Sequence, residues 1–364
     1  MFRRKTLFLI LIVLLLSALA CQAASDLVNP EPQINYVTEI VTKEVLVEGE
    51  VEYITEEVIV TVEVEVTEEQ IVITEVVEEI ETEDPTLNYP DTLVICLGAE
   101  PDTLYQYGGN MLAAAQVQEA FQDGPIDNRS FGYQPVILEK IPSLADGDAV
   151  IVPIEVNDGD YVIAEGRPKT LDVGDLIRPS GCRSADCEIS YSGGTVEMDQ
   201  LMVYFELLPG LMWDDGSPLT TDDSIYAFNL IADSDTPMSK FVTDRTMDYT
   251  ALDDQNLVWA GIPGYMDSTY FQNFFGPMPE HAYGQFTAAE LLEANVSARE
   301  PVGYGPYRMV EWATGDMILM EKNPYYFRAD EGLPYFDTLI YRFIGENSNA
   351  NIAALMAGEC DILD

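Results

Sequence analysis

From Asp91 onward the apolar positions of this 364-residue chain fall into short runs, each closed by a turn signal. "TLVICLG" (92–98) is an apolar run of strand length, and "NMLAAAQVQEAFQDG" (110–124) has the amphipathic spacing of a helix stopped at Gly124. Residues 131–200 hold short strands separated by "ADGD", "NDGD", "EGRP", "DVGD" and "YSGG", all of them turn-forming. "QLMVYFELLPG" reads as another strand, predicted to run over 201–213 to Trp213, and later segments alternate strands with short helices such as "TAAELLEAN". The pattern predicts a mixed α/β (α+β) domain over 91–364.

Residues 34–84 obey another pattern. They are built from Val, Ile, Thr and Glu, with one lysine and no proline. Alternation at Val62–Val66 argues for extended structure, whereas the spacing of Ile40, Val47 and Ile54 suits a helical seam. Glutamates at this density repel one another and stretch the segment, so it reads as an acidic stalk. Pro85 and Pro90 mark its boundary.

The stretch "LMWDDGSPLTTDDSIYAF" (211–228) places four aspartates beside a tryptophan. Asp215-Gly216 is a turn dipeptide and Pro218 stiffens its exit. Thr220 has the spacing of a helix N-cap, with Asp223 in the position of a capping-box acid. Asp222 and Asp223 fall in a first helical turn, where the backbone dipole favours negative charge. Ile225, Phe228 and Ile231 follow at helical spacing and are expected to bury one face. These acids therefore read as scaffold, with Asp214 alone lacking a structural task. A calcium loop is excluded because its D-x-[DN]-x-[DN]-G pattern and downstream glutamate are missing.

Composition adds location and excludes partners. The net charge is −47, from 64 acidic and 17 basic residues, which repels nucleic acid and anionic headgroups. "MFRRK" followed by "TLFLILIVLLLSALA" is a signal peptide over 1–20: a basic start, then an apolar run too short to span a bilayer comfortably. Ala18 and Ala20 precede Cys21 in a pattern that resembles the lipobox of bacterial lipoproteins, although Ala18 stands where leucine is usual. Ala18-Leu19-Ala20 also serves as an ordinary cleavage site. On the first reading Cys21 is lipidated, residues 21–33 form the linker to the stalk, and the protein is held at the extracytoplasmic face of the cell membrane. Either way it is exported, which permits disulfides. Cys182 and Cys187, in "GCRSADC", are expected to pair locally. A metal site is not expected, because zinc needs more ligands than this loop offers and the sole histidine is distant His281.

Several blocks together carry a resemblance. "LPGLMWDDGSPLTTDDSIYAFNL", "GAEPDTLYQY" (98–107), "GPMPEH" (276–281), "PVGYGPYRMVEWATGDMILMEKNPYYF" (301–327) and "NIAALMAGECDILD" (351–364) resemble segments of family 5 bacterial solute-binding proteins. These are the dipeptide, oligopeptide and nickel receptors of ABC importers. The resemblance covers about 95–364 apart from an insert near 145–197. It implies a periplasmic-binding-protein-like class II lobe, and it implies that the chain stops where a second lobe begins, as a C-terminally truncated member. Read without the family, "GYGPY" is a two-glycine loop, since Arg308 occupies the third glycine position of a dinucleotide fingerprint. Tyr304, Tyr307 and Trp312 suit core positions or a stacking platform.

The resemblance implies capture without chemistry, a ligand held between lobes and passed to the permease subunits of an importer. By position, Tyr105, Gln106 and Tyr107 in the loop after "EPDT" are the candidate ligand contacts, with Phe241 as a further one. Peptides head the expected solutes, then oligosaccharides, then nickel, for which one histidine offers little ligation. No cofactor is implied. The chain lacks G-x-S-x-G, H-E-x-x-H and a P-loop. An extracellular glycoside hydrolase with paired carboxylates and a non-transporting surface lipoprotein are the competing readings.

Overall fold

The computed structural model describes residues 35–47, 50–62, 91–128, 131–345 and 348–364. The predicted signal peptide, Cys21, the linker and the stalk beyond Val62 lie outside the described residues. The chain divides into two units, Met1–Pro85 and Thr86–Asp364. In the first, β1 (Asn35–Val47) pairs antiparallel with β2 (Glu50–Val62) in an unbroken register from Asn35↔Val62 to Val47↔Glu50. Of the two readings of this segment, the described residues take the extended one, as their β-branched content favours.

The second unit opens with β3 (Thr92–Leu97), α1 (Leu112–Phe121), β4 (Ile126–Asp127) and β5 (Gln134–Pro135). Then come β6 (Ala149–Val156), β7 (Tyr161–Ala164), β8 (Arg167–Thr170), β9 (Leu176–Ile177), β10 (Ile189–Ser190) and the long β11 (Val196–Glu206). Helix α2 (Thr221–Ala232), strands β12 (Thr246–Ala251) and β13 (Asn256–Gly261), and single-turn helices α3 (Glu280–Tyr283), α4 (Ala288–Leu291) and α5 (Asn295–Ala298) follow. Strands β14 (Tyr307–Ala313), β15 (Met317–Lys322) and β16 (Thr338–Phe343) precede α6 (Ser348–Met356) and β17 (Ile362–Leu363).

Two sheets organise these elements. The first has the order β14-β15-β16-β3-β17. It is antiparallel across β14, β15 and β16, and parallel across β16, β3 and β17. Parallel strands are usually covered on both faces and read as continuous apolar runs, which explains "TLVICL". Helix α1 lays Ala113, Val117, Ala120 and Phe121 against Ile318, Met320, Leu339 and Tyr341 of this sheet. It ends at Phe121, short of Gly124, because Gln122 is already extended. A disulfide between Cys96 and Cys360 joins β3 to the turn before β17, a link for which the sequence carries no local signal.

The second sheet, β12-β13-β11-β6, is antiparallel throughout. Its apolar face meets the largest core, centred on Trp213, Trp259, Phe205 and Tyr105. The segment identified as an insert holds its own small core of Val156, Val162, Leu171, Ile177, Tyr191 and Met198. Its first strand, β6, is nevertheless part of the main sheet, pairing with β11 from Val156↔Val196 to Ala149↔Val203.

Candidate functional site

Strand β11 stops at Glu206 and does not reach Trp213 as the apolar run suggests. Pro209 offers no N–H donor, and Gly210 turns the chain at φ 74°. The chain then folds back so that the Trp213 amide donates to the Ser217 carbonyl (2.8 Å), with the indole fully buried. At the head of α2 the capping box is complete. The Thr220 hydroxyl accepts from the Asp222 amide, and the Asp223 carboxylate accepts from the Thr220 amide at 3.0 Å. Asp223 also accepts from the Trp213 indole and the Glu280 amide, both at 3.3 Å. Burial pushes its pKa up, with these hydrogen bonds opposing.

The buried face of α2 differs from expectation. Asp223, Ser224, Ala227 and Leu230 are among its buried positions, while Ile225, Phe228 and Ile231 pack around them partly exposed. Ser224 explains the shift: its hydroxyl meets the Tyr249 hydroxyl (2.7 Å) and donates to the Phe275 carbonyl, so a polar side chain is satisfied inside.

Asp214 has a structural task after all. Its amide donates to the Gly303 carbonyl (2.8 Å), and its carboxylate accepts from the Gly303 amide (3.0 Å). Burial raises its pKa to about 6. Gly303 and Gly305 in turn press on the end of α1. A Cβ on Gly303 would lie 2.0 Å from the Phe121 oxygen, and one on Gly305 would lie 2.5 Å from the Gln122 nitrogen. Tyr304 between them is buried against Trp213, with ring centroids 5.4 Å apart. Two sequence blocks separated by some ninety residues (Asp214 and Gly303) thus form one junction. Asp215 completes it at the surface, accepting from the Ser217 amide (2.8 Å) and meeting the His281 ring nitrogen (2.9 Å).

In open sheets with parallel strands, ligands commonly bind outside the carboxyl ends of those strands. Here that edge carries Glu100, which accepts from the Trp312 indole (2.8 Å) and the Gly315 amide (3.0 Å). The Arg299 guanidinium lies 3.8 Å over the Trp312 ring and 3.7 Å from Glu100. Sequence reasoning missed Glu100 and Arg299, because their partners are distant along the chain. The loop that follows turns its tyrosines inward: Tyr105 and Tyr107 are 2% and 7% exposed, edge-to-face with each other at 5.6 Å. Gln106 between them is half-buried. The Tyr105 and Tyr226 hydroxyls are buried without a hydrogen-bond partner among the described residues.

Phe241 lies elsewhere. It is exposed and lines a cavity of about 390 Å³, with Arg245 and Tyr265, which Tyr105, Gln106 and Tyr107 do not reach. Cys182 and Cys187 are joined in a disulfide, and Cys182 borders that cavity. Among the described residues no helix is long and apolar enough to cross a membrane, and no group of three or more His, Cys, Asp or Glu is placed to hold a metal ion.

Known proteins share parts of this geometry. Residues 189–364 match the family described as bacterial extracellular solute-binding proteins, family 5 Middle. The oligopeptide-binding protein AppA of Bacillus subtilis (strain 168) is 28% identical over 188 residues, 49% of this chain and 32% of AppA. Glutathione-binding protein GsiB of Pectobacterium atrosepticum is 27% identical over 165 residues, 45% of this chain and 30% of GsiB. In fold, the chain is similar to AppA in complex with a nonapeptide, with a TM-score of 0.52 at 20% identity over 74% of this chain and 43% of that one. It is similar to the oligopeptide-binding protein from Thermus thermophilus complexed with pentapeptide, with a TM-score of 0.54 at 17% identity over 74% and 44%. This chain therefore spans less than half of each of these solved chains.

Proposed function

We propose that this chain, whose residues 189–364 match the family 5 bacterial extracellular solute-binding proteins, is a member of that family and captures a solute outside the membrane for an ABC importer. The observation that carries the reading is the family match over 189–364, which includes the Asp214–Gly303 junction and the five-stranded sheet's β14, β15 and β16. Oligopeptides are the first solute class, since AppA is named for them and is the relative with 28% identity. The mechanism is binding without chemistry: the ligand favours one conformation of the receptor and shifts its population, and the bound form engages the permease. Its carboxylates fit this reading, because Asp214 and Asp223 are occupied by backbone and indole donors.

The ligand-facing surface of this lobe is the edge at the carboxyl ends of β3 and β16. Of the three candidate contacts in the loop after β3, Gln106 is half-buried and open to a ligand, while Tyr105 and Tyr107 hold the loop in shape from inside. Anchoring through an acylated Cys21 keeps the receptor on the extracytoplasmic face. Native mass spectrometry of the full chain against a pool of tri- to nonapeptides tests the solute: peptide adducts are expected, and adducts with oligosaccharides alone would overturn the peptide class. Replacing Cys21→Ser is expected to move the protein from the membrane fraction to the medium or periplasm. Unchanged membrane retention would overturn the lipid anchor.

A further inference from the structure

The cavity beside Phe241 is built from two sources. The insert contributes Ile163, Glu165, Arg178, Arg183 and its neighbours, and the segments around α2 and β13 contribute Phe241, Arg245, Gly264 and Tyr265. Its volume of about 390 Å³ lies within the range of small-molecule sites, which starts near 300 Å³.

One of its walls breaks a rule that the other described arginines obey. Every other arginine described lies 3.7 Å or less from a carboxylate oxygen, from Arg167 with Glu165 to Arg342 with Glu359. Arg245 has no such partner among the described residues. It donates one N–H to the Phe241 carbonyl (2.9 Å), and its guanidinium plane lies 3.8 Å over the Phe241 ring. The Tyr265 ring is 5.8 Å from it. In a chain with 64 acidic residues, a cation beside a cavity that no carboxylate has claimed is suited to an anion from outside the chain. Guanidinium donors form a fixed fork that matches a carboxylate.

The other charges around the cavity are already matched. Arg178 meets Glu188 at 3.0 Å, and Arg183 pairs with Asp199. Asp199 also accepts from the Ser180 hydroxyl (2.7 Å) and the Gly181 amide (3.0 Å), so it does not compete for Arg245. Glu165 meets Arg167 at 3.2 Å. Arg245 is thus the one charged side chain of the lining without an ion-pair partner among the described residues, and the chain's distant acids are screened within about 8 Å at physiological salt.

We propose that this cavity is a binding subsite for a small carboxylate carrying a flat apolar group, with Arg245 taking the carboxylate and the flat group resting against the Phe241–Tyr265 pair, whose rings meet edge-to-face at 6.5 Å. Such a carboxylate has two sources: a free aromatic acid, or the C-terminus of a peptide ending in an aromatic residue. The inference stands on the cavity's own chemistry and does not need the importer reading.

N-acetyl-L-phenylalanine and its amide are the probes, titrated calorimetrically into the full chain. The acid is expected to bind at least tenfold more tightly than the amide, and Arg245→Gln is expected to abolish that preference. Phe241→Ala is expected to weaken both probes while keeping the preference for the acid, which guards against an Arg245 variant that folds poorly. Binding of the acid no tighter than the amide, or an unchanged preference in a folded Arg245→Gln protein, would overturn the proposal. Competition separates the sources. Displacement of the acid by an aromatic-ended peptide, and not by its C-terminal amide, identifies a peptide terminus. Displacement by neither identifies a free acid.

Discussion

The junction at Asp214–Gly303 and the cavity at Arg245 use charge in opposite ways. At the junction, carboxylates are carried inside and consumed by the chain itself: Asp214 by the Gly303 amide, and Asp223 by Thr220, Trp213 and Glu280. At the cavity, a guanidinium sits at the surface of an acid-rich protein without a carboxylate among the described residues. Acidic residues are so numerous here that a cluster of them says little about chemistry, whereas an unmatched cation does. Burial supports the contrast. Taking an ionised carboxylate out of water is costly unless donors surround it, and each buried acid at the junction has donors within 3.3 Å.

The junction should break hardest at its glycines. Gly303→Ala would place a methyl group 2.0 Å from a backbone oxygen of α1, which cannot swing away as a side chain does. The expected outcome is loss of about 4 kcal/mol or more, the range reached when backbone must shift, or a chain that does not fold. Thermal unfolding followed by circular dichroism checks it, and a variant melting within a few degrees of the parent would show that the approach of Gly303 to α1 is not tight.

Next comes the long disulfide. Cys96 and Cys360 are 264 residues apart, so the chain-entropy account assigns the link about 5 kcal/mol. Replacing both with serine should lower the denaturant midpoint for the whole second unit, because β3 is an interior strand of its sheet, paired with β16 on one side and β17 on the other. A midpoint unchanged from the parent would contradict this.

Asp214 sharpens the comparison through pH. Its folded pKa is raised from 3.8 to about 6 by burial, so the folded state holds the proton more tightly than the unfolded chain does. The stability this gives is fully present below pH 3.8 and is lost as pH rises to about 6. At neutral pH the carboxyl is ionised in both states, and folding is then less favourable than in acid by about 3 kcal/mol from the size of the shift. Asp214→Asn keeps an acceptor for the Gly303 amide and removes the titration. The difference in stability between variant and parent should change between pH 4 and 6 in favour of the variant and be flat above. A difference independent of pH would mean that Asp214 does not titrate in this window.

Much of the junction is legible in the sequence because its rules are local. The turn at Asp215-Gly216, the N-cap at Thr220 and the acid at Asp223 follow from spacing within a dozen residues, and the structure contains all three. What joins Asp214 to Gly303 is legible only as two separate blocks, since hydrogen bonding across that distance leaves no periodicity. The buried face of α2 departs from its apolar spacing for a related reason: hydrophobic periodicity cannot announce that Ser224 and Asp223 find donors and acceptors inside. Tyr105 and Tyr107 read from sequence as ligand contacts, yet their rings enter the core beside Tyr283. Arg245 carries no sequence signal at all, because its distinction is the absence of a neighbour that only the fold can supply.

The smallest effect belongs to the disulfide beside the cavity. Cys182 and Cys187 are five residues apart, so the same chain-entropy account gives only about 2 kcal/mol for the link. That amount should also stay local, because residues 156–198 hold their own apolar cluster around Val162, Ile177 and Met198. Replacing both cysteines with serine is expected to leave the main thermal transition nearly where it was, while amide exchange accelerates in residues 182–188. Arg183 lies inside the loop and pairs with Asp199. Burial opposes ionising that carboxylate, yet donors from Ser180, Gly181 and Arg183 hold its pKa below the usual range. Loosening the loop removes one of those three and leaves the other two, so Asp199 should stay ionised at neutral pH. Arg245 would then keep its preference for an acid over an amide. If instead the preference fell with the disulfide, Arg183 and Arg245 would be acting on the carboxylate together, and the cavity would depend on the oxidised loop.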